Sequence, residues 1–371
     1  MILAWIARRL ETVGHTCLTI LPEGRAMEPS FSGWMKNAPF DAAGTMGRPL
    51  TLPLLQALCS EGDFDVILLH EPHSASFLEV DGAASDLPPI VGFVHTVICP
   101  GQRLLRRREQ ICPGPMGNRC FTRWYAGPCG SAWRPTSAWR EVRAGIRGPR
   151  RIGRLRAVAV ASRWMFDHLV AEGVDPRLID VVDLPSLLNE MDWAFNDTKE
   201  AAPTTLLYVG RLAPAKGLHR LIEALPLLAS DVTLRICGDG FQRTELVGLV
   251  AERGLERQVH FDGWVAYDRL PSIYAESSLL VVPSLWPEPL GAVVAEAATQ
   301  GLPALVANRG GLPEWAEILP ATRIVNIDSR LQLVGAISDV LRNRERSRSS
   351  PKILPHDPPR PTVEEVLCNV V

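Results

Sequence analysis

Short apolar runs and longer amphipathic segments alternate along residues 204–341. The apolar runs have the length and β-branched content of buried strands, whereas the segments between them repeat apolar residues at helical spacing. This alternation, with its short connections, predicts a doubly wound parallel sheet whose ligands bind at the carboxyl ends of the strands. The predicted strands are TLLYVG, VTLRICGDG, VHFDGW, SLLVVPS and PALVAN, with a helix after each.

The first half of the chain follows the same pattern less regularly. Residues 2–13 have helical spacing, FDVILLHEP and PIVGFVHT predict buried strands, and AVAVAS precedes a helix from about Arg163 to Glu172. The pattern is lost over residues 186–203, where we place an interdomain linker. We therefore expect an α/β protein with Rossmann-like domains at residues 1–190 and 204–341. The charged, Ser- and Pro-rich tail at 342–371 is predicted to be disordered or atypical.

Composition fits a globular protein with two domains. The chain has 371 residues, of which 46% are hydrophobic and 22% charged, and its formal net charge of −2 excludes no class of partner. No apolar run reaches the roughly 18 residues of a membrane-spanning helix, and MILAWIARRL turns basic too early for a secretory signal. We expect a cytoplasmic chain and leave contact with a membrane surface open. The eight cysteines do not suggest a secreted disulfide framework.

Two carboxylates stand out in the segment that begins with VVPSLWPEPLG. The residues from Leu290 to Gln300 predict a helix that is apolar on most sides, so Glu296 within it needs a hydrogen-bonding partner or a polar ligand. Glu288 lies just before this helix, which Pro289 is well placed to start. Gly291 would let a phosphate approach the first-turn amides. The alternative is a solvated loop residue followed by the polar edge of a packing helix.

Three glycine-containing turns are predicted at the same edge of the sheet. The turn Gly210–Gly217 carries Arg211 and Lys216, two cations that suit a diphosphate, although a solvated loop is the plain alternative. The turns at Gly238–Gly240 and Gly310–Gly311 add glycines with wide conformational freedom. Each could equally be an ordinary turn that connects two elements. Taken with the two carboxylates, these turns predict a crevice for a nucleotide diphosphate that bears a sugar.

These residues resemble a known family. YVGRLAPAKG, ICGDG, PSLWPEPLGAVVAEAATQGLPAL and NRGGLPE look like the donor domain of the GT-B glycosyltransferases of family 4, a retaining group. The resemblance implies two Rossmann-like domains whose parallel sheets face a central cleft. It implies transfer of a hexosyl group from a UDP-, GDP- or ADP-sugar to a hydroxyl acceptor in polysaccharide, glycolipid or glycoside synthesis. It implies no required cofactor or metal and no nucleic acid partner.

The resemblance also implies roles for particular residues. Arg211 and Lys216 would hold the donor diphosphate and stabilise the leaving group. Glu288 would contact the transferred sugar, and Glu296 the ribose hydroxyls. His95, at the end of a first-domain strand, matches a histidine that lies near the sugar in the family, although such a histidine is by itself more often structural. The implied catalytic residues are Glu288, Lys216, Arg211 and His95, and the implied donor-binding residues are Glu296, Gly291, Leu290, Gly238 and Gly210.

The first domain departs from the family pattern. Members begin with a strand and a glycine-rich loop before a helix, and here Ile6 to His15 match the helix while nothing before it matches the strand and loop. We therefore expect either a misplaced start or a truncated chain. A truncation would favour an alternative hypothesis, an inactive nucleotide-sugar-binding or scaffold protein derived from that family.

A segment rich in cysteine and arginine, at about residues 99–156, interrupts the first domain. Cys99, Cys112, Cys120 and Cys129 lie near Pro or Gly, where thiolates can converge on zinc, but their spacing contains no C-x2-C, so reduced cysteines are the alternative. Residues 103–156 hold fourteen arginines. They form either a solvated surface or a patch attracted to anionic lipid headgroups or to a polyprenyl-phosphate acceptor.

Overall fold

The computed structural model describes residues 204–343 and 359–370 without a break. In the first half of the chain it describes residues 64–70, 87–99, 114–125 and 135–183, together with 6, 10–11, 13–15, 56, 59–60, 62, 104–105, 110–112 and 129. The predicted linker at 186–203 lies outside the described residues. The chain divides into two compact units. Unit 1 comprises Met1–Gly101, Pro113–Glu190 and Pro358–Val371, and unit 2 comprises Gln102–Cys112 and Met191–Asp357.

Strands and helices alternate in both units, which confirms the predicted α/β class. The strands are β1 (Ile67–His70), β2 (Ile90–Val94), β3 (Leu104–Leu105), β4 (Gln110–Ile111), β5 (Ala157–Val160), β6 (Ile179–Val181), β7 (Thr205–Val209), β8 (Thr233–Cys237), β9 (Val259–Gly263), β10 (Leu279–Val282), β11 (Ala304–Ala307) and β12 (Thr322–Val325). The helices are α1 (Arg119–Tyr125), α2 (Pro135–Ile152), α3 (Arg163–Ala171), α4 (Leu218–Ala224), α5 (Arg243–Glu252), α6 (Leu270–Glu276), α7 (Val293–Thr299), α8 (Trp315–Ile318), α9 (Arg330–Arg342) and α10 (Val363–Cys368).

Unit 1 is built on a four-stranded parallel sheet in the order β1-β2-β5-β6. The two central strands are the most buried, as their continuous apolar sequences predict. Ser162 follows β5 and caps α3, because its hydroxyl accepts a hydrogen bond from the Met165 amide at 3.2 Å. Met165 and Leu169 then pack α3 into the core of this unit. The predicted strands and the helix beginning at Arg163 are therefore confirmed.

The end of the chain packs on unit 1. The helix α10 lies against β5, and the Asp183 amide donates to the Pro361 carbonyl at 2.8 Å. Thr362 and Glu365 form a reciprocal capping box, which satisfies two amides at the helix start. The sequence left disorder and an atypical arrangement open for this tail. Residues 359–370 form an ordered segment on unit 1, whereas residues 344–358 lie outside the described part.

Unit 2 is built on a six-stranded parallel sheet in the order β12-β11-β10-β7-β8-β9. All five strands predicted from the sequence are present, and β12 was not predicted. The chain runs outward from β7 through β8 to β9, then returns to the other side of β7 with β10. The strand order therefore reverses between β7 and β10. In open α/β sheets, ligands bind at such a reversal, beyond the carboxyl ends of the strands.

The helix that carries Glu296 begins later than predicted. The sequence predicted a start at Leu290, whereas α7 begins at Val293. Gly291 has a φ of +78°, a conformation that does not continue a right-handed helix. The segment that follows Pro289 is therefore a loop, and Pro289 does not start the helix.

Candidate functional site

The loops after β7 and β10 dock onto each other at the point where the strand order reverses. The amides of Leu285 and Trp286 both donate to the Ala215 carbonyl, at 2.9 and 3.1 Å. Gly217 has a φ of +69°, and a Cβ atom there would lie 1.9 Å from the Pro283 carbonyl oxygen. Only glycine allows this approach. The loop that carries the two predicted cations is therefore fixed against the loop that carries the first predicted acid.

This docking brings Lys216 and Glu288 together. The Lys216 ammonium lies 2.6 Å from Glu288 Oε1, and the Ser284 hydroxyl donates to the same oxygen. Glu288 is 6% exposed, so its charge needs partners of this kind. The Lys216 ammonium also lies 5.0 Å from the centre of the Trp286 ring, within range of a cation–π interaction.

The turn at Gly310–Gly311 holds the backbone of Glu288. The Gly311 amide donates to the Glu288 carbonyl at 2.7 Å. Gly310 has a φ of +62°, and a Cβ atom there would lie 2.1 Å from the same carbonyl oxygen. These two glycines thus allow the loop after β11 to approach the loop that carries Glu288. The loop after β11 therefore helps to position Glu288.

The two residues predicted to offer backbone to the donor, Leu290 and Gly291, are fixed from behind. The Trp315 indole donates to the Leu290 carbonyl at 2.6 Å. A Cβ atom on Gly291 would lie 2.4 Å from the Leu312 side chain. The loop between Glu288 and α7 is therefore held by the segment that follows β11.

Glu296 is buried in α7 beside Tyr274 of α6. The Tyr274 hydroxyl donates to Glu296 Oε2 at 2.7 Å, and the two residues are 0% and 1% exposed. Burial raises the pKa of Glu296 to about 7, although the hydrogen bond from Tyr274 lowers it. Oε1 has no hydrogen-bond partner among the described residues. Buried polar atoms are normally paired, so this oxygen is available to a hydroxyl group from a ligand.

Arg211 is exposed at the carboxyl end of β7. Its carbonyl accepts a hydrogen bond from the buried Tyr208 hydroxyl at 2.8 Å, which fixes the start of the basic loop. The pKa of Tyr208 is raised mainly by burial and further by the negative charge of Glu288. The phenol therefore stays protonated, and it can keep donating to the Arg211 carbonyl.

Gly210 and Gly238 bring two neighbouring loops together. Gly238 has a φ of +150°, and a Cβ atom there would lie 1.8 Å from the Gly210 carbonyl oxygen. The Gly210 amide donates to the Cys237 carbonyl at 3.0 Å. The glycines after β7 and β8 thus allow backbone contact between strand ends, and this contact sets the course of the loop that leads to Arg211 and Lys216.

His95 belongs to unit 1, whereas the other predicted site residues belong to unit 2. It follows β2, and its ring centre lies 5.6 Å from that of His70 and 5.7 Å from that of Phe93. Two histidines therefore meet at the carboxyl ends of the neighbouring strands β1 and β2.

The four cysteines of the insertion are thiols rather than disulfides. The Gly117 amide donates to the Cys120 sulfur at 3.5 Å, a local turn contact. Among the residues that the structure describes, no three His, Cys, Asp or Glu side chains are placed to hold a metal ion. In the same residues, no helix is both long and apolar enough to cross a membrane.

Sequence reasoning missed Tyr274 and Ser284, which hold the two acids. A buried tyrosine needs a partner for its hydroxyl, so the apolar setting of Tyr274 in LPSIYAE was an available signal. Ser284 lies four residues before Glu288, and its hydroxyl reaches the Glu288 carboxylate because the chain turns between them. The sequence contains no signal for that turn geometry.

Comparison with known proteins identifies the domain that carries this site. Residues 190–351 match the family model described as glycosyl transferases group 1. A glycogen synthase from Mycobacterium tuberculosis is 33% identical over 149 residues, which cover 39% of this chain and 36% of that protein. A 2-deoxystreptamine glucosyltransferase from Streptomyces kanamyceticus is 31% identical over 161 residues, which cover 43% of this chain and 40% of that protein. The chain thus spans well under half the length of these relatives.

The fold extends beyond the matched domain. The structure of HepE from Anabaena, solved in complex with UDP and glucose, superposes with a TM-score of 0.56 at 20% identity, covering 80% of this chain and 74% of that chain. The two parallel sheets therefore have the GT-B fold expected from the sequence.

Proposed function

We propose that this chain, which carries a glycosyl transferases group 1 domain at residues 190–351, is a retaining glycosyltransferase of family 4. It transfers a hexosyl group from a nucleotide-diphosphate sugar to a hydroxyl acceptor. The observation that carries the proposal is the Lys216–Glu288 pair at the reversal of the strand order, with its 2.6 Å contact. The names of the relatives, a glycogen synthase and a glucosyltransferase, support the same reaction class.

The leaving diphosphate interacts with the basic loop. As the anomeric bond breaks, negative charge grows on the diphosphate, and cations fixed in advance stabilise that charge without reorganisation. An ammonium has three donors, and the hydrogen bond to Glu288 uses one of them, so Lys216 can also donate to a phosphate oxygen. Arg211 is exposed on the same loop and supplies the second cation. The proposal assigns the charge stabilisation to these two side chains and no step to a metal or cofactor.

The nucleoside interacts with the acid in α7. Glu296 Oε1, buried and without a partner in the described part of the chain, accepts hydrogen bonds from the ribose hydroxyls. The amides near Leu290 and Gly291 contact the sugar or the phosphate. Trp315 and Leu312 hold the loop that carries these amides.

The transferred hexose contacts Glu288. Glu288 is charged and held by Lys216 and Ser284, so it can accept hydrogen bonds from sugar hydroxyls through its second oxygen. Retention follows from attack by the acceptor on the face that the diphosphate leaves, with the leaving phosphate assisting removal of the acceptor proton. The acceptor is a glycan, a lipid-linked sugar or a small molecule, as in polysaccharide, glycolipid or glycoside synthesis. We place the enzyme in the cytoplasm, in peripheral contact with a membrane.

Turnover assays test the proposal. Release of nucleotide from UDP-, GDP- and ADP-sugars identifies the donor, and NMR of the anomeric proton in the product reports the configuration. Lys216→Ala and Glu288→Ala should each lower turnover by roughly 10² to 10³, the usual cost of losing one group that stabilises the transition state. Arg257→Ala, an exposed arginine in the same unit, is the matched control and should be neutral. Unchanged turnover in both site variants would show that the site is elsewhere.

A further inference from the structure

One face of α2 carries a row of exposed arginines and a tryptophan. Trp139, Arg143, Arg147 and Arg150 are exposed, and their spacings of four, four and three residues place them on one side of the helix. The row extends over about 16 Å, given a rise of about 1.5 Å per residue. Of the α2 side chains whose burial the structure describes, the exposed ones thus carry three positive charges and no negative charge.

Buried side chains outside this row anchor α2 to unit 1. Val142 and Ile152 are 1% and 0% exposed, and Ile152 belongs to the core that also contains Met165 and Leu169. The helix also packs against α1. The exposed row therefore faces outward on a helix that is held by other side chains.

Trp139 is unusual for a solvated surface. It is 50% exposed, and the Arg143 guanidinium lies 4.8 Å from the centre of its ring. A large amphipathic ring beside cations is typical of residues at the interface between water and lipid headgroups. A purely solvated arginine surface does not need such a ring, because exposing it to water is unfavourable.

We propose that this face of α2 docks the protein onto a bilayer that contains anionic lipid. The arginines contact headgroup phosphates, and Trp139 enters the interface. Charge complementarity favours this partner, since the guanidinium groups of the row match phosphate oxygens. The exposed indole ring beside them suits the headgroup region of a bilayer, where Trp is enriched. The inference rests on the membrane contact of the proposed function and is tested separately from its chemistry.

Co-sedimentation of the full chain with vesicles tests the inference. We expect binding to vesicles of equal parts phosphatidylglycerol and phosphatidylcholine at low salt, weaker binding at high salt, and little binding to pure phosphatidylcholine. A combined Arg143→Gln, Arg147→Gln and Arg150→Gln variant should lose on the order of 100-fold in affinity, since each basic residue contributes about fivefold near such a surface. Replacing the same three arginines by lysine should retain most of the binding.

The control is a variant with the same change of net charge in unit 2, with Arg257, Arg323 and Arg330, all exposed, replaced by glutamine. It should bind vesicles as the wild type does. Trp139→Ala should weaken vesicle binding but leave binding to a short DNA duplex unchanged. Equal vesicle binding by both triple variants would overturn the proposal, and so would equal binding of the wild type to DNA and to vesicles. Lys216→Ala should lose turnover but keep vesicle binding, so the two proposals can fail independently.

Discussion

Replacing Tyr274 with phenylalanine tests the assignment of Glu296 directly. The substitution removes one hydroxyl and keeps the buried ring. In the wild type this hydroxyl donates to Glu296 Oε2 at 2.7 Å, and both residues are fully or nearly fully buried. A buried acceptor that loses its donor costs about 1–3 kcal/mol, and the upper part of this range applies to a charged carboxylate.

The loss should appear as a shift in pH dependence. The pKa of Glu296, already raised by burial to about 7, is held down by the hydrogen bond from Tyr274. Without that bond the pKa rises further, so less of the carboxylate is ionised at neutral pH and fewer chains can accept hydrogen bonds from a ribose. At pH 7 the KM for the donor should rise on the order of tenfold, whereas kcat should change less, because ribose binding is equal in ground and transition states. At higher pH the carboxylate ionises again, and the KM should recover.

The assay is the pH profile of kcat/KM with the preferred nucleotide sugar, supported by calorimetry of nucleoside diphosphate binding. Two other groups, Tyr267 and Cys237, act electrostatically on Tyr274. Burial raises the pKa of Cys237 to about 12, so this thiol does not titrate in the range of the assay. Glu296→Gln should flatten the profile, and adding Tyr274→Phe to it should shift nothing further. The reasoning would be refuted if the kcat/KM of Tyr274→Phe were lowered by the same factor at every pH and the midpoint of the profile did not move.

Three further outcomes follow from the site. Gly310→Ala places a Cβ atom 2.1 Å from the Glu288 carbonyl oxygen, so it should lower the thermal unfolding temperature and turnover, whereas Gly248→Ala, with open space around it and a helical position, should be neutral or stabilising by about 1 kcal/mol. Ser284→Ala removes one donor to the Glu288 carboxylate and should lower turnover about tenfold with the fold intact, as circular dichroism can verify. Because the pKa of Glu296 in the folded chain, about 7, lies above its usual value of 4.5, the free energy of unfolding should fall as pH rises through this window. In Glu296→Gln this decrease in the free energy of unfolding should be smaller by about 3 kcal/mol, as denaturant titrations over the same pH range can measure.

The sequence predicted the strands of unit 2 because each is a short apolar run between turn residues, and burial on both faces requires that pattern. The apolar pattern around Glu288 and Glu296 also predicted correctly that Glu288 lies in a loop and Glu296 in a helix. It failed at the helix start, since Gly291 takes a φ of +78° there, and a Cβ atom at this position would meet the side chain of Leu312, which belongs to a later loop. A local pattern cannot indicate it.

The tail contains a helix signal that the sequence prediction did not use. Val363, Val366 and Leu367 have helical spacing and are buried, and Thr362 with Glu365 has the spacing of a capping box. These signals were present in the sequence, but the Pro- and Arg-rich residues before them dominated the composition. Six helical residues are too few to be stable alone, so this helix depends on packing against β5.

The two acids illustrate what the sequence left open at the site. Glu288 and Glu296 are the same residue type in one apolar segment, and both are buried. Lys216 and Ser284 reach Glu288 only because Gly217 lets two loops touch, and they compensate its charge within the protein. The Glu296 carboxylate accepts one hydrogen bond from the part of the chain that the structure describes, from Tyr274, and its pKa is raised to about 7. Because their surroundings differ in charge and in hydrogen-bond partners, the carboxylates of Glu288 and Glu296 have different roles. The first is charged and oriented beside a cation, and the second gains a further partner for its carboxylate when a ligand hydroxyl arrives.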